Sequence, residues 1–271
     1  MTHLVNPQWR EWPIEKLEKE YSPSVWAKAP SAVHAPIFEA SALAARTSES
    51  TKLRFDSYGP RTRNVIAWSA PTEMDEIFVW IHGGYWQDCT IGDSMVGVVD
   101  LVAAGFGYAA IEYSLAPEVT VAEIIAECVS ALKWVIEQNP EKKIILGGHS
   151  AGAHLALAVA LQIPVTGLSL VAGVYDLRPL VPTTINDKLG MSDESAAEVS
   201  PILNDFAFPG KSEVLIGGFE SASFLEQSHV ATAYLIGSGS SVSFVPIADC
   251  DHKDIIATGE HIKSFRRLVQ A

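Results

Sequence analysis

Apolar segments with strand character alternate with helical patterns along most of the chain, and this alternation restricts the fold more than any other feature. Strand-like segments lie at 76–82, 106–113, 142–148, 165–174, 212–218 and 241–247. Apolar spacing typical of helices lies at 119–139, 150–162, 221–237 and 254–270. Strands that are apolar on both faces need cover on both faces, and helices supply it in parallel sheets. The sequence therefore predicts an α/β fold, a mostly parallel central sheet with helices on both faces.

The parts of the chain outside this alternation are short. Segments 52–58 and 64–68 predict a hairpin at the edge of the sheet. In the N-terminal part, a short amphipathic helix is predicted at 13–21 and an irregular arm at 21–30. About 35 residues separate "SLVAGVYD" from "SEVLIGG", which leaves room for a small cap or none. We expect one domain over residues 1–271, with residues 1–50 as an N-terminal arm packed on it.

The charge and the cysteines exclude several classes of protein. The formal net charge is −13, whereas surfaces that bind nucleic acid or anionic membranes need basic patches. Cys89, Cys128 and Cys250 are few and widely spaced, which argues against a disulfide framework and a structural zinc site. From the sequence we expect neither a signal peptide nor a segment that spans a bilayer, since no apolar stretch has the required position or length. We expect a cytoplasmic protein that acts on a small molecule, with no nucleic-acid or membrane partner; the oligomeric state stays open, a homodimer being one alternative.

The segment "ILGGHSAGAHLALAV" places a Gly-x-Ser-x-Gly pattern, residues 148–152, between an apolar strand and a helix. Such a turn holds its serine in a strained backbone conformation and lifts the hydroxyl out of the sheet. The flanking glycines let the turn close without Cβ clashes, and the helix N-terminus places N–H groups beside the reacting oxygen. Ser150 is therefore the predicted nucleophile and His149 a candidate substrate contact. His154, one helical turn later, is expected to pack beside the site or in the core.

A glycine pair follows the strand-like segment 76–82, in "WIHGGYWQD". Glycines at a strand end allow backbone N–H groups to point at a ligand. Attack of a serine on a carbonyl puts negative charge on oxygen, and fixed N–H donors stabilise that charge. We predict that this oxyanion hole uses Gly83 or Gly84 together with Ala151, the residue after the nucleophile. The side chains expected to contact substrate there are His82, Tyr85 and Trp86, the last two as an aromatic wall at the rim.

The base and the acid should follow the last two strands, in the order serine, acid, histidine. His252 lies in a polar loop after segment 241–247 and is the predicted base. Glu220 is the first carboxylate after segment 212–218 and is the predicted acid, which would fix the tautomer of the histidine. Asp176, after the strand that follows the serine turn, is the main alternative. Asp249 and Asp251 are too close to the histidine in sequence to be ideal.

Several of these stretches together resemble the kynurenine formamidases, or arylformamidases, of the α/β-hydrolase superfamily. The similar stretches are "HGGYWQ", "GHSAGAHLA", "GFESASFLEQS", "DHKDII" and, near the N-terminus, "LEKEYSPSVW". "YSLAPE" at 113–118 is similar to a loop of esterases related to hormone-sensitive lipase. The resemblance covers about residues 10–258. The sequence departs from the family pattern at Glu220, where aspartate is usual, and at Lys253, where a large apolar residue is common.

The resemblance implies an α/β-hydrolase fold and a serine triad that hydrolyses N-formyl-L-kynurenine, an intermediate of tryptophan catabolism, to L-kynurenine and formate. It implies no metal and no other cofactor, and an esterase side activity. A carboxylesterase, or an amidase for another small amide, is the alternative enzyme. A hydrolase-like receptor that binds a ligand without turning it over is the alternative outside enzymes, and the complete triad argues against it.

Overall fold

The computed structural model describes residues 7–270 of the chain. Its strands are β1 (Arg54–Ser57), β2 (Val65–Ser69), β3 (Glu76–Ile81), β4 (Gly107–Ile111), β5 (Lys143–His149), β6 (Gly167–Val171), β7 (Lys211–Gly217) and β8 (Ser241–Ile247). They form one sheet in the order β1-β2-β4-β3-β5-β6-β7-β8. The pairings β1–β2 and β2–β4 are antiparallel and the other five are parallel. The mostly parallel sheet and the hairpin at its edge are confirmed.

The helices precede the sheet, connect its strands and follow it. They are α1 (Ile14–Glu20), α2 (Pro23–Trp26), α3 (Ala35–Thr47), α4 (Val98–Ala103), α5 (Val121–Gln138), α6 (Ala151–Ala160), α7 (Asn186–Leu189), α8 (Asp193–Glu198), α9 (Ala222–Gly237), α10 (Asp254–Ala257) and α11 (Glu260–Gln270). Helix α3 was not anticipated from the sequence. The single helix predicted at 254–270 is wrong, because Gly259, in the left-handed region at φ +73°, separates α10 from α11.

The burial of each element follows from its residues. The central strands β3, β4 and β5 are apolar almost throughout, and they are buried under helices on both faces. Helix α6 is buried at all ten positions, which agrees with its nearly continuous Ala and Leu content. Helix α5 has one apolar face and begins at Thr120, whose side chain accepts the N–H of Glu123 in a capping box. The sheet thus forms a rigid frame whose carboxyl edge carries the loops of interest.

The segment between β6 and β7 adds only short helices. Besides α7 and α8, it contains two turns of 3₁₀ helix, Arg178–Leu180 and Pro201–Leu203. This is a small cap, one of the two alternatives that the length of the segment left open. Within residues 7–270, no helix combines the length and the apolar character needed to cross a bilayer.

Candidate active site

Ser150 lies in the sharp turn between β5 and α6. Its backbone is at φ 56° and ψ −121°, a conformation that is rare for a residue with a side chain. The Ser150 N–H donates to the carbonyl of Val171 at 2.8 Å, which ties the turn to the neighbouring strand β6. A strained residue held by surrounding structure at a strand end is a feature of functional sites. The hydroxyl opens into a cavity at the carboxyl edge of the sheet.

The two glycines of the turn are required by close approach of the backbone. A Cβ on Gly148 would lie 2.1 Å from the carbonyl oxygen of Gly152. A Cβ on Gly152 would lie 2.1 Å from the carbonyl oxygen of Ile81 in β3. Both distances are far inside van der Waals contact, and backbone atoms cannot move aside. The steric reason predicted for the Gly-x-Ser-x-Gly pattern is therefore met at both glycines.

His252 and Glu220 are in direct contact at the ends of β8 and β7. Nδ1 of His252 lies 2.8 Å from Oε1 of Glu220, and both side chains are almost fully buried. Because a carboxylate only accepts, Nδ1 donates and Nε2 keeps its lone pair. The ring of Phe224 packs edge-on against the imidazole at 5.1 Å. Ser150 and His252 line the same cavity, so the structure brings together all three predicted triad residues.

Asp176, the alternative acid, has a different partner. It is fully buried and its two carboxylate oxygens accept from the guanidinium of Arg178 at 2.8 Å and 2.6 Å. Its carbonyl accepts from Gln227 on α9, so this residue anchors the start of the small cap. Asp251 accepts backbone N–H groups, and Asp249 is exposed. Of the carboxylates considered from the sequence, Glu220 is the one in contact with His252.

Three backbone N–H groups beside the serine have no acceptor within the described residues. They belong to Gly83 and Gly84 after β3 and to Ala151 at the start of α6. A Cβ on Gly83 would lie 3.1 Å from Cβ of Ser150, so this backbone approaches the nucleophile closely. The loop is strained, since Gly84, Tyr85 and neighbouring residues have positive φ. The arrangement suits a fixed set of donors for a developing oxyanion.

A buried network of polar side chains supports this glycine loop. Glu112, just after β4, contacts Nε2 of His82 at 3.2 Å and accepts from Arg63 and from the N–H of Ile91. Nδ1 of His82 lies 2.9 Å from the carbonyl oxygen of Gly83. Both ring nitrogens therefore face oxygen atoms of the protein, and these contacts fix the ring beside the glycine loop. Burial disfavours ionised Glu112, but the hydrogen bonds and charges around it outweigh that effect and lower its pKa.

Sequence reasoning missed Glu112, Arg63 and Tyr113. The hydroxyl of Tyr113 lies 2.9 Å and 3.0 Å from the carbonyl oxygens of His82 and Gly83, and its ring stacks on the His82 ring at 4.2 Å. The signal that could have found two of them is "IEYS", polar residues directly after an apolar strand at the functional edge. His82 lines the cavity, as predicted for a substrate contact, but both of its ring nitrogens are bonded within the protein.

His149 is buried between the nucleophile and the base. Its Nε2 donates to the carbonyl of His252 at 2.8 Å, and the two imidazoles are 4.5 Å apart. Burial and the nearby His252 and Lys253 hold the pKa of His149 well below its usual value, so the ring is neutral at pH 7. Nδ1 therefore keeps its lone pair at the cavity wall, which fits the predicted role of His149 as a substrate contact.

The cavity has a volume of about 570 Å³, the size of a small-molecule site. Tyr85 lines it, and its hydroxyl donates to the carbonyl of Tyr21 at 2.6 Å. The prediction that Trp86 forms part of the wall is wrong. Trp86 is fully buried, its φ of 59° turns it into the core, and it packs edge-on against His154 at 5.1 Å. His154 is a core residue whose Nε2 donates to the carbonyl of Val199.

The N-terminal arm supplies another side of the cavity. Its contributing residues are Pro23, Ser24, Ala27 and Phe38. The arm is tied to the loop that carries His252, because the N–H of Lys28 donates to Asp251 at 2.9 Å. His34 and Lys28 both contact Asp254, at 2.8 Å and 3.3 Å. His34, Asp251 and Asp254 could hold a metal ion by position, but the ammonium of Lys28 already occupies the acidic side of this cluster.

Comparisons with known proteins agree with this geometry. Residues 78–212 match the family described as alpha/beta hydrolase fold. The kynurenine formamidase of Danio rerio is 30% identical over 269 residues, which cover 92% of each chain. That of Drosophila melanogaster is 33% identical over 206 residues, 68% of each chain.

Solved structures share the fold at lower identity. A Silicibacter protein described as a candidate thioesterase superimposes with a TM-score of 0.80 at 24% identity, covering 94% of this chain and 99% of the other. An arylesterase superimposes with a TM-score of 0.69 at 15% identity, covering 99% and 98%. The fold, the serine turn and the two formamidase relatives lead to one conclusion: the chain is a hydrolase that belongs to the kynurenine formamidase family of α/β-hydrolases.

Proposed function

We propose that this enzyme hydrolyses N-formyl-L-kynurenine to L-kynurenine and formate, with Ser150, His252 and Glu220 as its catalytic triad. The observation that carries the proposal is the contact between His252 and Glu220 in the cavity that also holds Ser150, in a chain of the formamidase family. The three cysteines are unpaired, which fits a reducing compartment, and we infer a cytoplasmic enzyme that works as a single domain.

In the first half of the reaction, Oγ of Ser150 attacks the formyl carbon and Nε2 of His252 takes the hydroxyl proton. The charge that develops on the formyl oxygen is stabilised by the N–H groups of Gly83, Gly84 and Ala151. Glu220 keeps Nδ1–H of His252 in place and stabilises the imidazolium. The C–N bond then breaks, and the imidazolium gives its proton to the departing arylamine. The products of this half are the free amine and a formyl ester of Ser150.

In the second half, water replaces the amine in the cavity. His252 takes a proton from this water, whose oxygen attacks the formyl ester, and the same N–H groups stabilise the second oxyanion. The ester bond to Oγ breaks, the imidazolium returns the proton to Ser150, and formic acid leaves and releases its remaining proton to water, which gives formate. The buried side chain of His149 is neutral at pH 7. It therefore adds no second positive charge beside the imidazolium of His252 that forms in each half of the reaction.

The space around the nucleophile favours a small acyl group. Gly83 is so close to the serine turn that an added Cβ would lie 2.9 Å from the carbonyl oxygen of His149. We infer that little room is left on the Gly83 side of the nucleophile, and an acyl chain extending toward that backbone would be overpacked, at a typical cost of ~1–3 kcal/mol. The aromatic side chains of Phe38 and Tyr85 line the cavity and offer apolar surface for an aryl leaving group.

Replacement of the nucleophile tests the proposal. Ser150→Ala should remove nearly all turnover of N-formyl-L-kynurenine while the substrate still binds, measured by kynurenine absorbance and by calorimetry. Mass spectrometry of a rapidly quenched wild-type reaction should detect a formyl adduct on the peptide that contains Ser150. A Ser150→Ala protein that keeps most of its activity would end the serine-hydrolase mechanism.

A series of acyl groups separates the formamidase from a carboxylesterase with the same triad. With one aryl leaving group, kcat/KM should fall from formyl to acetyl to butyryl. A maximum at butyryl would identify a carboxylesterase. No turnover of any formyl or acetyl arylamide, with Ser150 intact, would point to another amide or to a receptor.

A further inference from the structure

Two lysines line the cavity of a protein whose net charge is −13. Lys188 lies in the short helix α7, one residue before its end, and is exposed at the rim. Lys253 follows the proposed base directly and is half-buried. Within the described residues, neither ammonium has a carboxylate within ion-pairing distance. A half-buried cation that has no partner inside a substrate cavity is suited to bind an anionic group of the substrate.

The ammonium of Lys253 lies on the cavity side of the loop. Its Nζ is 5.9 Å from the centre of the Phe38 ring, and Phe38 is part of the cavity wall. Its backbone is fixed, because the N–H of Lys253 donates to Asp251 at 2.9 Å. The charge of Lys253 also acts on two other residues that line the cavity. It helps to lower the pKa of His149, and it opposes the burial that raises the pKa of Cys89.

We propose that Lys253 binds the carboxylate of the substrate, so that this cavity selects aryl formamides whose side chain carries a free carboxylate over those in which the carboxylate is esterified. This inference rests on the proposed function, because it names the group that recognises the distant end of the same substrate. The catalytic residues hold the formyl end, and Lys253 fixes the other end through a charge-assisted hydrogen bond. Lys253 is then a specificity-determining residue that takes no part in the proton transfers.

The other charged side chains that line the cavity are less suited to bind the substrate carboxylate. Asp93 is engaged at the start of a 3₁₀ turn, where its carboxylate accepts the N–H of Thr90 at 2.9 Å. Asp88 is exposed, and its charge would repel a carboxylate. Lys188 has the right sign but is more exposed, so solvent screens it more strongly. Of the cavity's cations, Lys253 is the better shielded one.

The test compares N-formyl-L-kynurenine with its methyl ester, which loses the carboxylate charge and keeps the α-ammonium group. For Lys253→Met, kcat/KM should fall about 10- to 100-fold on the acid, the size expected for one charge-assisted hydrogen bond, and change less than about 3-fold on the methyl ester. Lys253→Arg keeps the charge and should retain the preference for the acid. Lys188→Met, the matched control at the rim, should change kcat/KM on the acid only about 2- to 3-fold.

A second substrate pair keeps this test independent of the formamidase proposal. An aryl acetate whose side chain ends in a carboxylate and lacks the α-amine, and the methyl ester of this compound, should show the same loss of discrimination in Lys253→Met. For this second pair, higher salt should lower wild-type kcat/KM on the acid, which is anionic, and leave the neutral methyl ester unchanged. Equal losses on acid and ester, or equal losses in Lys188→Met and Lys253→Met, would overturn the proposal. Failure of the formamide pair with success of the ester pair would overturn only the proposed function.

Discussion

At the scale of single residues, Glu220 uses one of its two carboxylate oxygens. Oε1 contacts His252, while Oε2 is buried without a hydrogen-bond partner in the described residues. An unpaired oxygen of a buried carboxylate is tolerated where the charge itself is needed, here to stabilise an imidazolium. The longer side chain reaches His252 at 2.8 Å from this backbone position. An aspartate at the same position would end about one methylene short.

Glu220→Gln should lower kcat about 10³- to 10⁴-fold with little change in KM, because the amide has the shape of the carboxylate without its charge. Glu220→Asp should lose less, since the charge is kept. Steady-state kinetics on N-formyl-L-kynurenine measure both effects. The control is Asp176→Asn, which removes the partner of Arg178 and should lower stability by about 3 kcal/mol while kcat of the folded protein is kept. The reverse pattern in the two variants would assign the acid to Asp176.

At the scale of elements, the loop between β8 and α10 is held by the N-terminal arm as well as by the sheet. Asp251 is the centre of this connection. One of its oxygens accepts the N–H groups of Lys253 and Asp254 at 2.9 Å, and the other accepts the N–H of Lys28. His252 lies between these anchored residues, so the orientation of the base depends on a segment more than 200 positions away.

Asp251→Asn should lower kcat/KM about 10-fold. The amide can accept through only one atom, so either the hydrogen bond to the arm or the hydrogen bonds within the loop are lost. Thermal unfolding should occur several degrees lower, as expected when a buried hydrogen bond is removed. Asp249→Asn is the matched control in the same loop. The Asp249 side chain is exposed and only its carbonyl contacts the arm, so kinetics and melting temperature should stay unchanged. Equal effects of the two substitutions would contradict the role of Asp251.

At the scale of the whole molecule, buried neutral histidines couple stability to pH. Burial lowers the pKa of His154 to about 4 and that of His261 to about 3. In the unfolded chain both return to the ordinary value near 6.5. Below about pH 6.5 the unfolded chain therefore binds more protons than the native protein, and stability falls as pH falls. The loss of stability caused by His154 stops near pH 4, where this residue also becomes protonated in the native protein.

In this window, each histidine should lower the free energy of unfolding by about 1.4 kcal/mol for each pH unit by which the pH falls. The total for His154 is about 3 kcal/mol. Urea unfolding between about pH 7.5 and 4.5 measures the slope. His154→Gln should make the slope shallower by the contribution of one group, because a neutral amide replaces the imidazole. The same substitution at His229, exposed on α9, is the control. An unchanged slope in His154→Gln would show that His154 is protonated in the native protein.

The sequence predicted those features that depend on local pattern. The apolar runs of β3 to β8, the glycines around Ser150 and the order of serine, acid and histidine all follow from spacing and residue type. The inward turn of Trp86 could not be predicted, because it depends on a positive φ imposed by the loop. The network of Arg63, Glu112 and His82 joins three separate segments, which no local pattern connects. For the same reason, the arm was expected to pack on the domain but not to line the cavity.

The connection between the arm and the loop after β8 has a consequence for protein synthesis. Glu20 contacts Ser223, Lys28 contacts Asp251 and His34 contacts Asp254, so each pair is separated by at least 203 positions. The ribosome makes the arm early and its partners late. A nascent chain that already contains Ser150 has the arm, but it lacks Asp251, to which the arm binds, and the base His252. Hydrolysis can therefore begin only after His252 has emerged, and it should reach its full rate once the arm has bound the loop that carries this base.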